Sequence, residues 1–218
     1  MNDRSAVCAS LIRDAARRML GPLGILQKGR SRLWFSDQGW WLIVVEFQPS
    51  GFSVGSYLNV ACTWLWDVKD YISFDLGDRV DQGSSFTSAE QFKPVAEGLA
   101  QRAAVEVQQY RVLFPSVRTL SDYYLKNPPL IGWPSFHAAI AHGLVGRIDL
   151  SRRLFDTWGS EAKSEPEWTK AARSDAMELK RLVDDELQFR SLVASRVNET
   201  RALHKLAPLH EINFGLRN

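Results

Sequence analysis

The chain has 218 residues, 45% of them hydrophobic and 24% charged, with a net charge of +2. This is the mix of a globular protein with one large domain or two small ones, and it excludes a disordered chain. Charge does not concentrate: 12 basic and 12 acidic residues lie at or before Phe114, and 15 and 13 after it, which counts against a nucleic-acid binder with a basic face or tail.

Eight Trp and eleven Phe predict a well-filled interior. Cys8 and Cys62 are expected as small buried hydrophobes in a reducing compartment. Asp3, Arg4, Arg13 and Asp14 interrupt any signal peptide, and no apolar run reaches the ~20 residues of a membrane span. The expectation is a cytoplasmic protein with no membrane contact.

Residues 3–20 predict an amphipathic helix with Val7, Leu11, Ala15 and Met19 on one face, ended by Gly21-Pro22. A strand is expected near 29–36. The run from Trp40 to Gln48 predicts a second, with Leu42 and Val44 giving way to Glu46 and Gln48 on one face. Residues 57–66 and 71–76 alternate as a third and a fourth, making an antiparallel meander with one face for the first helix to cover. Thr87-Ser88-Ala89-Glu90 fits a capping box, with Pro94 placed in the first turns of the helix that follows. Phe92, Val95, Leu99, Ala103, Val107, Tyr110 and Phe114 recur along that helix.

A short helix is expected at about 117–126. Asn127-Pro128-Pro129 and Gly132-Trp133-Pro134 then mark a boundary between an α+β sheet domain, 1–126, and a helical subdomain, 127–218. Helices at about 135–145 and 149–160 predict an antiparallel hairpin, with Ala138, Ala139, Ala141 and Gly143 permitting close approach. This hairpin resembles a tetratricopeptide unit, but no second copy follows at a fixed period. Ser164-Glu165-Pro166-Glu167 predicts another capping box, opening one long helix or two in series towards Leu206.

Leu23-Gly24, Lys28-Gly29-Arg30, Trp34-Phe35, Gln48-Pro49-Ser50 and Tyr57-Leu58-Asn59-Val60 carry a resemblance to known proteins. The first third to half of the chain resembles a family of bacterial domains of unknown function, built from a leading helix and an antiparallel sheet with a Gln-x-Ser signature. The resemblance implies α+β architecture and no particular activity.

Chemistry-bearing motifs are sparse. His137 and His142 are five apart, where zinc ligands on one helix use three or four; one is expected to face a neighbouring helix and the other solvent. Asp184-Asp185-Glu186 reads as a solvated face, since consecutive helical residues point about 100° apart. The glycine clusters follow a helix or join strands and cradle no phosphate. No catalytic residue, metal site or cofactor is assigned.

Arg30 and Arg32 alternate on one strand face with Trp34 next in register, a stripe suited to an anion or to protecting a sheet edge. Gln48 and Asn59 flank the hairpin at mirrored positions. Their amides can bond each other, or face a ligand beside Arg30 and Arg32. The expected fold is α+β: a four-stranded antiparallel sheet packed by an N-terminal helix, then an all-helical C-terminal half. The expected function is a bacterial, non-catalytic protein–protein interaction module, toxin-neutralising or adaptor-like, with a protein partner and an unassigned oligomeric state. The alternative is an enzyme or small-ligand binder using Arg30, Arg32, Gln48 and Asn59.

Overall fold

The computed structural model describes residues 3–51, 53–129, 132–160 and 167–216, without the side chains of 159–160 and 167–172. The capping box expected at Ser164–Glu167 lies outside the described residues. The fold is α+β, in two compact units: Met1–Thr63 with Ser73–Val112, and Trp64–Ile72 with Leu113–Asn218. The second unit thus begins at Leu113, ahead of the boundary expected at 127, and gathers in a segment from within the sheet region. No helix among the described residues is long and apolar enough to cross a membrane.

The first unit opens with α1 (Asp3–Leu20), closed by a 3-10 turn over Gly21–Leu23. Its buried stripe is Cys8, Ile12, Ala15, Ala16 and Leu20, offset by one residue from the stripe expected. A short hairpin pairs β1 (Leu26–Gln27) with β2 (Leu33–Asp37), Gln27 opposite Trp34. β2 then pairs with β3 (Trp41–Pro49), Leu33 opposite Glu46. β4 (Gly55–Trp64) follows, with β5 (Leu76–Arg79) and β6 (Ser84–Ser85) both pairing to it.

The sheet therefore has six strands, where four were expected. The two extra strands, β1 and β6, have two residues each and are too short for alternation to reveal. The strand expected at 71–76 shifts to β5: Tyr71 and Phe74 are exposed, and regular pairing begins at Leu76 opposite Cys62. β5 approaches β4 so closely at Gly77 (φ +114°) that an added Cβ would lie 2.6 Å from the Val60 carbonyl oxygen and 2.5 Å from the Tyr110 hydroxyl.

β3 is buried on both faces from Trp41 to Val45, and opens towards its end, where Glu46 and Gln48 are half-buried and Pro49 is exposed. A strand buried on both sides loses its alternation, and here it reappears only at the polar end. α2 (Ala89–Leu113) packs Phe92, Ala96, Leu99, Ala100, Ala103 and Val107 inward. Its cap is one residue later than expected. Ser88 Oγ accepts from the Gln91 amide, and Gln91 Oε1 accepts from the amide and hydroxyl of Thr87. Pro94 lies past the first turn, and the missing proton is one the helix would have used.

In the second unit, α3 (Val117–Lys126) is capped reciprocally by Ser116 and Thr119. α4 (Trp133–Leu144) and α5 (Ile148–Ser160) form the expected antiparallel hairpin: Trp133 meets Trp158, Phe136 meets Phe155, and Ser151 Oγ donates to the Ala139 carbonyl at 2.7 Å. Gly143 is required there, since a Cβ would lie 2.7 Å from the Phe189 ring.

α6 (Glu167–Leu182) and α7 (Glu186–Leu203) are two helices in series. The acidic triplet marks their break. Asp185 caps α7 by accepting from the Gln188 amide at 3.0 Å, and those hydrogen bonds hold its carboxyl below the usual range. Asp184 pairs with Arg152, and Glu186 with Arg190.

Candidate functional site

The β1–β2 hairpin is rigid at its tip. Gly29 adopts φ +57°, Ser31 returns its amide and hydroxyl to the Lys28 carbonyl at 3.0 and 2.7 Å, and Gln27 Nε2 donates to the Ser31 carbonyl at 2.7 Å. Most residues favour negative φ, so glycine is the natural occupant of this bend. The hairpin presents Arg30, Ser31 and Arg32 towards α1, whose Ala9, Ile12 and Arg13 share one side through their helical spacing.

Together with Gln27, Trp34 and Phe47 these residues line a pocket of about 240 Å³. Its floor is apolar: Ile12, Trp34 and Phe47 are buried. Its charge is entirely positive, with three arginines and no acidic residue in the lining. Arg13 donates to Ser10 Oγ at 3.2 Å, and among the described residues no carboxylate pairs with Arg13, Arg30 or Arg32.

Arg32 is the telling residue. Its Nη1 is buried and meets no protein acceptor among the described residues. A buried donor without an acceptor costs about 1–3 kcal/mol. Burial pushes the neighbouring Cys8 thiol up, and the Arg32 charge pulls the other way without overcoming it.

Gln48 and Asn59 are elsewhere. Phe47 donates its amide to the Arg32 carbonyl and lines the arginine pocket, so Gln48, one residue on, projects from the opposite face of the sheet. There Asn59 Nδ2 donates to Glu46 Oε2 at 2.8 Å and to Gln48 Oε1 at 3.1 Å. Arg79 stacks its guanidinium 4.1 Å from the centre of the Tyr57 ring and donates to Gln48 Oε1 at 2.9 Å. The four sequence-derived residues thus fall into two sets on opposite faces. Arg30 and Arg32 line a pocket, while Gln48 and Asn59 bond each other. Arg13 and Arg79, which complete the two sets, arrive from distant parts of the chain and have no local signal.

The histidines engage separate partners, and neither faces solvent. His137 Nδ1 accepts from the Trp66 indole at 3.3 Å, with Trp133 stacked on its ring. His142 Nδ1 lies 2.7 Å from Ser121 Oγ, which itself accepts from Arg147 Nη1 at 2.6 Å. Arg147 can only donate, so the serine oxygen accepts there and keeps its own proton and a second lone pair for further partners, His142 Nδ1 among them. Burial and the Arg147 charge lower the His142 pKa to about 4, against the opposing pull of Asp122. A serine beside a neutral histidine has the composition of a nucleophile and its base. Here Ser121 and His142 are 0% and 2% exposed, which leaves no approach for a substrate.

The chain matches no family model, and no curated protein or solved structure is significantly similar to it.

Proposed function

We propose that the chain is a binding protein for a small anion, captured by Arg13, Arg30 and Arg32 between α1 and the β1–β2 hairpin. The observation that carries this reading is the buried Arg32 Nη1, which has no acceptor among the described residues, in a pocket whose lining holds no acidic side chain. An anionic oxygen supplies the missing acceptor through a charge-assisted hydrogen bond, and the apolar floor strengthens it. The test is an amide NMR titration of the full chain with inorganic phosphate and sulfate at constant ionic strength. Saturable shifts centred on residues 9–13 and 27–34 are expected. Uniform or absent shifts refute the reading.

A second reading, a protein-interaction module of toxin-neutralising or adaptor type, is favoured by Met177 and Leu187, which are 73% and 78% exposed. It ranks second because singly exposed apolar residues are ordinary on protein surfaces. Its test is affinity capture from the native lysate against an untagged control. A stoichiometric partner lost with M177E or L187E supports it, and a partner indifferent to both removes this basis for it.

A further inference from the structure

We propose that the ligand of the arginine pocket is a small phosphate monoester, its dianionic head held by Arg13, Arg30 and Arg32 and its organic body laid against Ile12, Trp34 and Phe47. The inference rests on the anion-binding reading above and names the ligand class of the same pocket.

Three observations select this class. The first is charge. Three guanidinium groups with no acidic residue in the lining exceed what one carboxylate neutralises, and a phosphate monoester brings nearly two negative charges at neutral pH with three acceptor oxygens. Guanidinium forks also match phosphate oxygens in pairs.

The second is that the lining is divided. Ala9, Ile12, Trp34 and Phe47 provide an apolar wall that free phosphate would leave unused. The third is size. About 240 Å³ is below the ~300–1,000 Å³ of pockets that enclose drug-sized ligands, so a nucleotide or coenzyme is too large and a single ring or short chain suits.

The pocket also predicts a pH response that belongs to the ligand. The facing charged groups are Arg13 from α1 and Arg30 and Arg32 from the hairpin; β3 contributes only Phe47. Arginine keeps its proton throughout the working range. The buried Cys8 thiol beside Arg32 is shifted further from ionising. The second ionisation of the phosphate, near pH 6, is therefore the titration that sets the affinity.

The experiment is isothermal titration calorimetry of the full chain with phenyl phosphate, inorganic phosphate and benzoate, at constant ionic strength between pH 5 and 8. Phenyl phosphate is expected to bind about tenfold more tightly than either of the others. Its affinity should rise as pH passes 6, while that of benzoate stays flat. R30Q changes an exposed hairpin residue and should weaken phenyl phosphate about tenfold with the fold intact by circular dichroism. R32Q should do the same.

Benzoate binding as tightly as phenyl phosphate overturns the phosphate assignment and leaves the anion reading standing. Inorganic phosphate binding as tightly overturns the organic body. Binding indifferent to both R30Q and R32Q overturns the location. No binding of any of the three overturns the anion reading as well.

Discussion

Two arginines on opposite faces of one sheet meet opposite fates. Arg79 lies flat on Tyr57 and hands its protons to Gln48 and Asn59, whose remaining groups engage each other and Glu46. Arg32 sits over an apolar floor with one nitrogen buried and, among the described residues, no acceptor for it. The difference separates a side chain that closes a structure from one held ready for something else. A satisfied polar network rigidifies a fold, whereas an unsatisfied buried donor is a cost that a ligand can offset.

Mutations can break this contrast, and the largest effect belongs to the strand that carries Arg79. Gly77→Ala forces a Cβ against the Val60 carbonyl and the Tyr110 hydroxyl at positive φ. It should destabilise the protein by about 3 kcal/mol or more in urea denaturation.

A third arginine, Arg147, provides the control, because it is satisfied by Ser121 and Asp122 beside a buried neutral histidine. The folded-state pKa of His142 is about 4 against an ordinary value of 6.5. The unfolded chain therefore takes up the proton first as pH falls. Stability should be constant above pH 6.5, decline by about 3 kcal/mol between 6.5 and 4, and change no further through this group below that. H142N should flatten that slope in urea midpoints measured across pH.

Asn59→Leu deprives Glu46 and Gln48 of their shared donor at a buried position and should cost about 2 kcal/mol in the same assay. Arg79→Ala is milder, about 1 kcal/mol, because the guanidinium is solvent-exposed; the affinity of the arginine pocket should not change. Arg32→Gln removes a buried donor that has no acceptor among the described residues and should cost no stability, raising it by up to about 1 kcal/mol, while anion binding falls. An Arg32 variant that loses as much stability as the Asn59 variant would erase the distinction between the two faces.

How much of this could be read beforehand differs between the same two places. Apolar runs over 40–48 and 57–66, rich in β-branched and aromatic residues and bounded by turns, located β3 and β4, although both strands are buried at nearly every position. The Arg30–Arg32–Trp34 stripe was legible from the period of two along a strand, and the mutual bonding open to the Gln48 and Asn59 amides was legible as well. Which face each residue joins was not legible. It depends on register, and Gln48 and Phe47 are neighbours in sequence on opposite sides of the sheet.

The partners that decide each arginine's fate also come from far away: α1 brings Arg13, and β5 brings Arg79 beside Asn59. Residues 71–76 misled because Ile72, Phe74 and Leu76 alternate in composition while the chain there is changing units. Both histidines proved buried because Ser121, Trp66 and Arg147 supply polar contacts that a helical period does not disclose.

The segment Trp64–Ile72 has a consequence for inheritance. It belongs to the helical unit, yet it is encoded inside the sheet unit. No single crossover point in the gene delivers either half complete. A fragment ending at Val112 keeps Trp64 and Trp66 but leaves behind His137, which accepts the Trp66 indole proton, and Arg196, which holds the Trp66 carbonyl. A fragment beginning at Leu113 has those groups and lacks the tryptophans. Recombination that shuffles domains as beads on a string would damage both products, so the two units are bound to travel, duplicate and diverge as one heritable block.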